Sequence, residues 1–360
     1  MRSVSLPLAV GVLAALIALS AISVRWMLRA GPIDVPDIDG GRKQHAAPTP
    51  KGGGLGVVGA VVIGMPLLLA LSDANGAEWL QAGIILGAAL VLAAISFIDD
   101  LHDLSPWTKL AAQVGCAVAC AIGGGYLRQI VLPGIGVATL GWFGTVLAII
   151  WILLVTNALN FSDGMNGLAA GSAAIASAFL IAYAWIGGDI LLSAAALPLL
   201  AGLLGFLPFN YPAGRIFMGD VGSQFIGFVF AALLLQASKY AAPVPSMSSE
   251  ILLIAAILLD VLVTLVRRAR RGERLSAPHR DHFYQLAERS GMDRRAITLV
   301  YWGFAVLGGL AGLLMLRADP AQRPFLALIA LLPILAWMIA IGMRYRRHEA
   351  ALGSSSSTRP

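Results

Sequence analysis

ISFIDDLHDLSP, residues 95–106, closes the apolar run 79–98 with Asp99, Asp100 and Asp103. The run matches the roughly 20 apolar residues a helix needs to cross hydrocarbon. Three acids at its end therefore mark a place where a membrane helix meets water. The rest of the chain has the same character. Of 360 residues, 58% are hydrophobic and 12% charged, against about 25% charged in soluble domains, and mean hydropathy is +0.82.

Eleven such runs recur: 5–24, 53–72, 79–98, 109–126, 141–160, 167–187, 190–209, 222–240, 250–267, 297–316 and 324–343. All are expected to be helices, because lipid leaves an open sheet edge unsatisfied and the runs are too long for barrel strands. The prediction is an all-α polytopic membrane protein of 10–11 spans. It forms one catalytic domain over 1–343, followed by an unstructured tail over 344–360. The first run carries its positive charge after it (Arg25, Arg29), which reads as an anchored span and not a cleaved leader. Cys116 and Cys120 fall inside one run and read as small helix residues.

Lys and Arg divide unequally between the two sets of loops. Twenty of the 25 fall on the side holding Arg25, Lys51, Lys109, Arg215, the arginines from Arg267 to Arg295, and Arg344. By the positive-inside rule that side is cytoplasmic, with the N-terminus out and the C-terminus in. The net charge of +6 thus serves topology and does not indicate nucleic acid. Asp99, Asp100, Asp103, Asp163, Asp220, Asp281, Asp293, His45, His102, His279 and His282 all fall on the same side. Polar chemistry gathered at one face predicts a water-soluble partner from the cytoplasm.

Five segments carry that chemistry. Asp99 and Asp100 are adjacent carboxylates, which repel unless a cation sits between them; such a pair suits Mg²⁺ with phosphate, or a base. Lys109 lies ten residues on and offers phosphate a point charge. In VTNALNFSDGMNGLAAG, 155–171, Asn157, Asn160, Asp163 and Asn166 recur every three residues. On a helix end running into a turn they would line one face. In FNYPAGRIFMGDVGSQFIGF, 209–228, Gly219 and Gly222 open a span and Asp220 stands in the turn, a setting for metal-bound phosphate. Phe217 reads equally as core or as a platform for a base. DIDGGRKQHAAPTPKGGGLG, 37–56, adds Arg42, Lys43, His45 and Lys51 as an anionic-ligand patch that topology alone would also explain. APHRDHFYQLAER, 277–289, holds His279 and His282 around Arg280; if helical, the histidines share a face. The alternative is a surface helix with Arg289, Arg294 and Arg295 on lipid headgroups. Asp260 lies inside an apolar run and must face protein or a water-filled cleft; pairing and function are equally open for it.

Taken in order, DVP…RKQHAAPTPKGGG, FIDDLHDLSPWTKLAAQ, NALNFSDGMNGLAAG, FNYPAGRIFMGDVGS and PHRDHFYQL resemble the polyprenyl-phosphate N-acetylhexosamine-1-phosphate transferase family. Its members start enterobacterial common antigen, O-antigen, teichoic acid and peptidoglycan lipid intermediates. The resemblance runs from Asp34 to Glu288. It implies attack of polyprenyl (undecaprenyl) phosphate on the β-phosphate of a UDP-linked N-acetyl sugar, releasing UMP, with Mg²⁺ required and Mn²⁺ as the alternative ion. It implies a bacterial inner-membrane enzyme in the bilayer, with a homodimer left open.

By position, the resemblance makes Asp220 the metal ligand and Asp99 and Asp100 the acidic pair at the reacting phosphates. It puts Asp163, Asn157 and Asn160 on the nucleotide side, Phe217 on uracil, Lys51 and Lys109 near phosphates, and His282 with His279 and Arg280 at the diphosphate. Such transfer rests on positioning and charge neutralisation. Three departures stand out. Asn166 replaces an Asp common in DGMNG. Tyr284 replaces a His, as in the O-antigen-initiating branch. A longer spacer separates the Pro and Arg of the first segment, which bears on Asp37 and Asp39.

Two other classes compete. Asp99–Asp103 spells DDxxD, the prenyl-diphosphate pattern of intramembrane prenyltransferases, but the later acids are single. A transporter would carry broken helices at the midplane and usually a repeat. Consumption of a UDP-sugar with UMP release separates the transferase from both.

Overall fold

In the computed structural model, ten of the eleven expected runs each overlap one helix, and the eleventh, 250–267, overlaps two. The structure describes residues 6–34, 48–102, 104–125, 127, 129–132, 136–237, 248–275, 277, 279–319 and 322–356. Asp37, Asp39, Arg42, Lys43, His45 and Asp103 lie outside these, as does the side chain of Asp100.

The helices are α1 Leu6–Ala30, α2 Gly54–Ala70, α3 Gly76–His102, α4 Pro106–Ile122, α5 Trp142–Ser162, α6 Leu168–Gly187 and α7 Ile190–Asn210. After these come α8 Gly219–Ala237, α9 Ser248–Leu252, α10 Ala255–Arg270, α11 Phe283–Arg289, α12 Arg294–Met315 and α13 Arg323–Ser356. Two small antiparallel ribbons complete the described residues. One pairs β1 Ile33–Asp34 with β2 Thr49–Pro50; the other pairs β3 Gln129–Leu132 with β4 Gly136–Thr139.

Eight of these helices are long and apolar enough to cross a membrane; α2 is apolar but shorter. The count of eleven spans is therefore not reached by length and composition among the described residues. One expected span, 250–267, is broken. Leu253 and Ile254 form a buried turn between α9 and α10, and their N–H groups bond to Glu250 and Ile251 carbonyls. Non-helical backbone at such a place is tolerated because protein surrounds it. The expected unstructured tail is also corrected: α13 continues through Ser356.

Local rules explain the ends. Ser105 caps α4, its Oγ accepting the Thr108 N–H at 3.1 Å, with Pro106 in the first turn. Both fit a helix start. Asp189 caps α7 and Asp293 caps α12 in the same way. Asp293 is thus a helix cap.

Helix α8 is the axis of the bundle, buried along its length and packed by α2, α3 and α5. Helices α1 and α13 are the least buried of the candidate spans. Trp26 and Trp107 are exposed toward one end of the bundle, Trp142 and Trp185 toward the other. That is the pattern of aromatic belts at two membrane interfaces.

Helices α2 and α8 touch through glycine. A Cβ at Gly222 would lie 2.5 Å from the Gly54 Cα, and one at Gly54 would lie 2.3 Å from the Gly222 Cα. No side chain can give way there. Gly222→Ala should therefore destabilise the detergent-solubilised protein by about 1–3 kcal/mol or more through overpacking. Gly59→Ala on α2 meets nothing within 4 Å and should leave the melting temperature level or raise it. Thermal melts of the two variants check this, and equal melts would remove the close-approach argument.

Candidate active site

The polar residues singled out in the sequence converge on the end of the bundle where α3, α5, α7 and α10 finish and α4, α6 and α8 begin. Helix α8 opens with Gly219 at φ +77°, a conformation glycine takes without steric cost. Asp220 follows in the first turn, where the helix dipole favours a carboxylate. Asn160 on α5 reaches across, its Nδ2 donating to Asp220 Oδ1 at 3.2 Å and to Ser223 Oγ at 2.8 Å.

Asp163 caps the C-terminus of α5 and is half-buried beside Asp220. Burial first, and the Asp220 carboxylate second, push its carboxyl well above the usual range. A carboxyl raised in the folded state contributes stability while protonated and loses it as pH rises through the raised value. The chelator-treated protein should therefore melt progressively lower as pH rises above the ordinary carboxylate range. Asp163→Asn should flatten that slope, and an unchanged slope would place the responsible group elsewhere.

Two backbone loops carry the neighbours of this pair. Residues 50–54 and 217–218 run side by side: Phe217 N donates to Pro50 O at 2.9 Å, Gly53 N to Phe217 O at 2.9 Å and Gly54 N to Met218 O at 3.0 Å. This bridge sets Lys51 opposite Phe217 and its Cβ 3.9 Å from the position a Cβ on Gly219 would take. Lys51 and Phe217, 166 positions apart in the chain, are thus brought to the Asp220 turn.

Asn157 and Asn166 behave differently. Asn157 Nδ2 donates to Gln113 Oε1 at 2.9 Å, and Gln113 Nε2 donates back at 3.2 Å and on to Gln224 Oε1 at 2.8 Å. This amide chain joins α4, α5 and α8. Asn166 packs its amide on Gly214, and its carbonyl accepts from Thr298 at 3.1 Å. The four-residue face expected over 157–166 therefore divides: Asn160 and Asp163 stay at the Asp220 turn, while Asn157 and Asn166 tie elements together. Asn210 is a further fastening. Buried at the end of α7, it accepts from Gly167 N at 2.6 Å and donates to Ile216 O at 3.0 Å, clamping the two loops. Neither Gln113 nor Asn210 was singled out from the sequence.

Asp99 is buried, and both its oxygens are taken within the protein. Oδ2 meets Lys109 Nζ at 2.5 Å and Oδ1 accepts Leu104 N at 2.8 Å. The expected acid and the expected phosphate lysine are thus partners, closing the turn between α3 and α4.

The His segment is not helical up to His282; α11 starts at Phe283, and His282 is its N-cap. His279 and His282 still meet, ring centroids 5.0 Å apart, across a turn. Asp260, buried on α10, organises the segment. Its Oδ1 faces His282 Nδ1 at 3.2 Å and accepts Phe283 N at 2.8 Å; its Oδ2 accepts Tyr284 N at 3.1 Å and the Tyr301 hydroxyl at 2.5 Å. A carboxylate only accepts, so the Nδ1 that faces Asp260 is the His282 ring nitrogen that donates. The Tyr284 hydroxyl donates to Phe161 O at 2.8 Å, and the His282 ring lies 5.9 Å from Phe161. The His loop is thereby docked on the end of α5, two residues before Asp163. Arg280 is half-buried in the same loop. Asp281 accepts from Arg268 at 2.6 Å. Burial works against its charge, but Arg268, His279 and Arg267 outweigh that and hold its carboxyl below the usual range.

Comparison with known proteins bears on this arrangement. The family model described as "Glycosyl transferase family 4" matches residues 82–238, from α3 through α8. The decaprenyl-phosphate N-acetylglucosaminephosphotransferase of Mycobacterium tuberculosis is 32% identical, over 87% of this chain and 84% of its own length. This chain belongs to glycosyl transferase family 4. Other relatives are the phospho-N-acetylmuramoyl-pentapeptide-transferase of Latilactobacillus sakei, 30% identical over 75% of this chain and 85% of its own. The undecaprenyl-phosphate alpha-N-acetylglucosaminyl 1-phosphate transferase of Escherichia coli O157:H7 is 27% identical over 78% and 76%. This family 4 member is a multi-pass membrane protein. The family match holds Asp99, Asp163 and Asp220 but ends before Asp260 and His282.

Proposed function

We propose that this family 4 protein transfers an N-acetylhexosamine 1-phosphate from a UDP-sugar to a polyprenyl phosphate, releasing UMP at the cytoplasmic face. The observation that carries the reading is the Asp163–Asp220 carboxyl pair at one end of the bundle, beside a histidine held by Asp260. The names of the relatives, all polyprenyl-phosphate or sugar-phosphate transferases, support the reaction class. They favour it over a prenyltransferase or a transporter.

A divalent cation fits the donor set. Two adjacent carboxyls match what Mg²⁺ takes: one or two carboxylates plus substrate phosphates. Asp220 and Asp163 are the residues that would hold it, with Asn160 orienting Asp220. Bound there, the ion would neutralise charge on a diphosphate. The chain's own residues supply the rest. Lys51 adds positive charge at the Asp220 turn, Phe217 offers a ring toward the base, and His282 presents Nε2 to the diphosphate, with His279 and Arg280 beside it. Asp99 and Lys109 hold the α3–α4 turn, and Asp100 follows Asp99 at the end of α3.

The test is UMP release by purified protein in detergent with undecaprenyl phosphate, Mg²⁺ and, in turn, UDP-GlcNAc, UDP-GalNAc and 6-deoxy analogues. Release that needs both lipid and Mg²⁺ supports the reading and identifies the sugar. Folded protein that releases no UMP with any of these donors argues against it.

A further inference from the structure

A cleft of about 670 Å³ lies between α10, α11 and α13, away from the carboxyl pair. Its two ends differ in chemistry. Along one side it is walled by Val263 of α10 and by Leu335, Ile339 and Met343 of α13, all exposed at the surface. Helix α13 is among the least buried candidate spans, so this wall opens sideways into the bilayer. At the other end stand Arg267, Arg271, Arg289 and Arg346.

The acids in the cleft are occupied. Asp281 pairs with Arg268 at 2.6 Å, and Glu349 accepts from the Tyr345 hydroxyl with Arg289 at 3.9 Å. Arg271 approaches Glu273 only at 3.8 Å and is largely exposed, as is Arg346. Positive charge is therefore in surplus where the apolar wall ends. Gly342 lines the cleft, and a Cβ there would meet nothing within 4 Å.

Helix α11 separates this cleft from the reaction site. Phe283, Leu286 and Arg289 face the cleft, while His282 and Tyr284 face Phe161 on α5. An occupant of the cleft is consequently not the phosphate that reacts. We propose that the cleft binds an anionic phospholipid of the surrounding bilayer, its phosphodiester on Arg271 and Arg346 and an acyl chain along α13. Basic pockets at the ends of membrane helices attract such headgroups. The bound headgroup would also brace Arg267, which donates to the Asp281 carbonyl one residue before His282.

A photoactivatable phosphatidylglycerol in phosphatidylcholine nanodiscs tests this without recourse to activity. Cross-links should map to 263–271 and 335–349 and be competed by phosphatidylglycerol but not by phosphatidylcholine. Arg271→Gln with Arg346→Gln should weaken capture about tenfold or more. Gly342→Leu, which fills the cleft without changing charge, should weaken it too while the protein elutes as a single species and melts as before. Equal labelling by a phosphatidylcholine probe would overturn the site as lipid-specific. Competition by undecaprenyl phosphate at the lower concentration would assign the cleft to the carrier lipid and overturn the phospholipid.

Discussion

Asp220→Asn should cut UMP release by about 10³-fold, a loss of about 4 kcal/mol of transition-state stabilisation. The substitution is a clean one. Asparagine keeps an oxygen at Oδ1 for the Asn160 amide, which now bonds Asp220 at 3.2 Å, so the start of α8 stays in place. What it removes is the charge beside Asp163. A second signature follows from that charge: Asp163 loses one of the two influences that raise its carboxyl. Apo Asp220→Asn should therefore lose less stability than the parent protein as pH rises above the ordinary carboxylate range. The paired readouts, initial rate at saturating Mg²⁺ and chelator-treated melts, separate a lost metal ligand from a damaged fold. A variant within tenfold of the parent rate would move the metal away from this turn.

Helix positions were legible because hydropathy marks them strongly; all eleven expected runs contain a helix. What escaped were features that hydropathy does not encode. The break at Leu253–Ile254 lies within the apolar stretch ILLIAAILL, 251–259, so no polar residue marks it. The extension of α13 to Ser356 follows a basic segment that composition reads as solvent-exposed, and a helix outside the membrane needs no apolar run. The acids of the site were visible as acids, but their partners were not. Asp99 pairs with Lys109 across a turn, a contact between two expected site residues that the sequence does not announce. Asn157 is part of an amide chain through Gln113 and Gln224, because three helices had first to be packed before those side chains could meet. The dual reading of Asp260 resolves the same way. Its partners stand 22 to 41 positions along the chain, and only the docking of α11 and α12 reveals them.

Asp260 is the residue on which the second large effect rests. It is a positioning residue: it accepts two backbone N–H groups at the start of α11, the Tyr301 hydroxyl and His282 Nδ1. Asp260→Ala strands those donors in a buried place, at about 1–3 kcal/mol for each donor that finds no water. Some of the protein should still fold, because α11 also docks through the Tyr284 hydroxyl and Phe161 carbonyl. In that folded fraction, kcat should fall about 10²–10³-fold, as when the orienting acid behind a reacting histidine is lost. KM for the UDP-sugar should change little. Asp260→Asn is the sharper instrument. Its single oxygen can serve Phe283 and His282, but its amide then points N–H groups at the Tyr284 N–H and the Tyr301 hydroxyl, so it should rescue folding only in part. If Asp260 works through His282, then His282→Gln combined with Asp260→Ala should be no slower than the worse single variant, since residues acting as one unit are not additive. Losses that multiply would mean that Asp260 holds α11 for some other purpose, and that His282 is aimed by the loop alone.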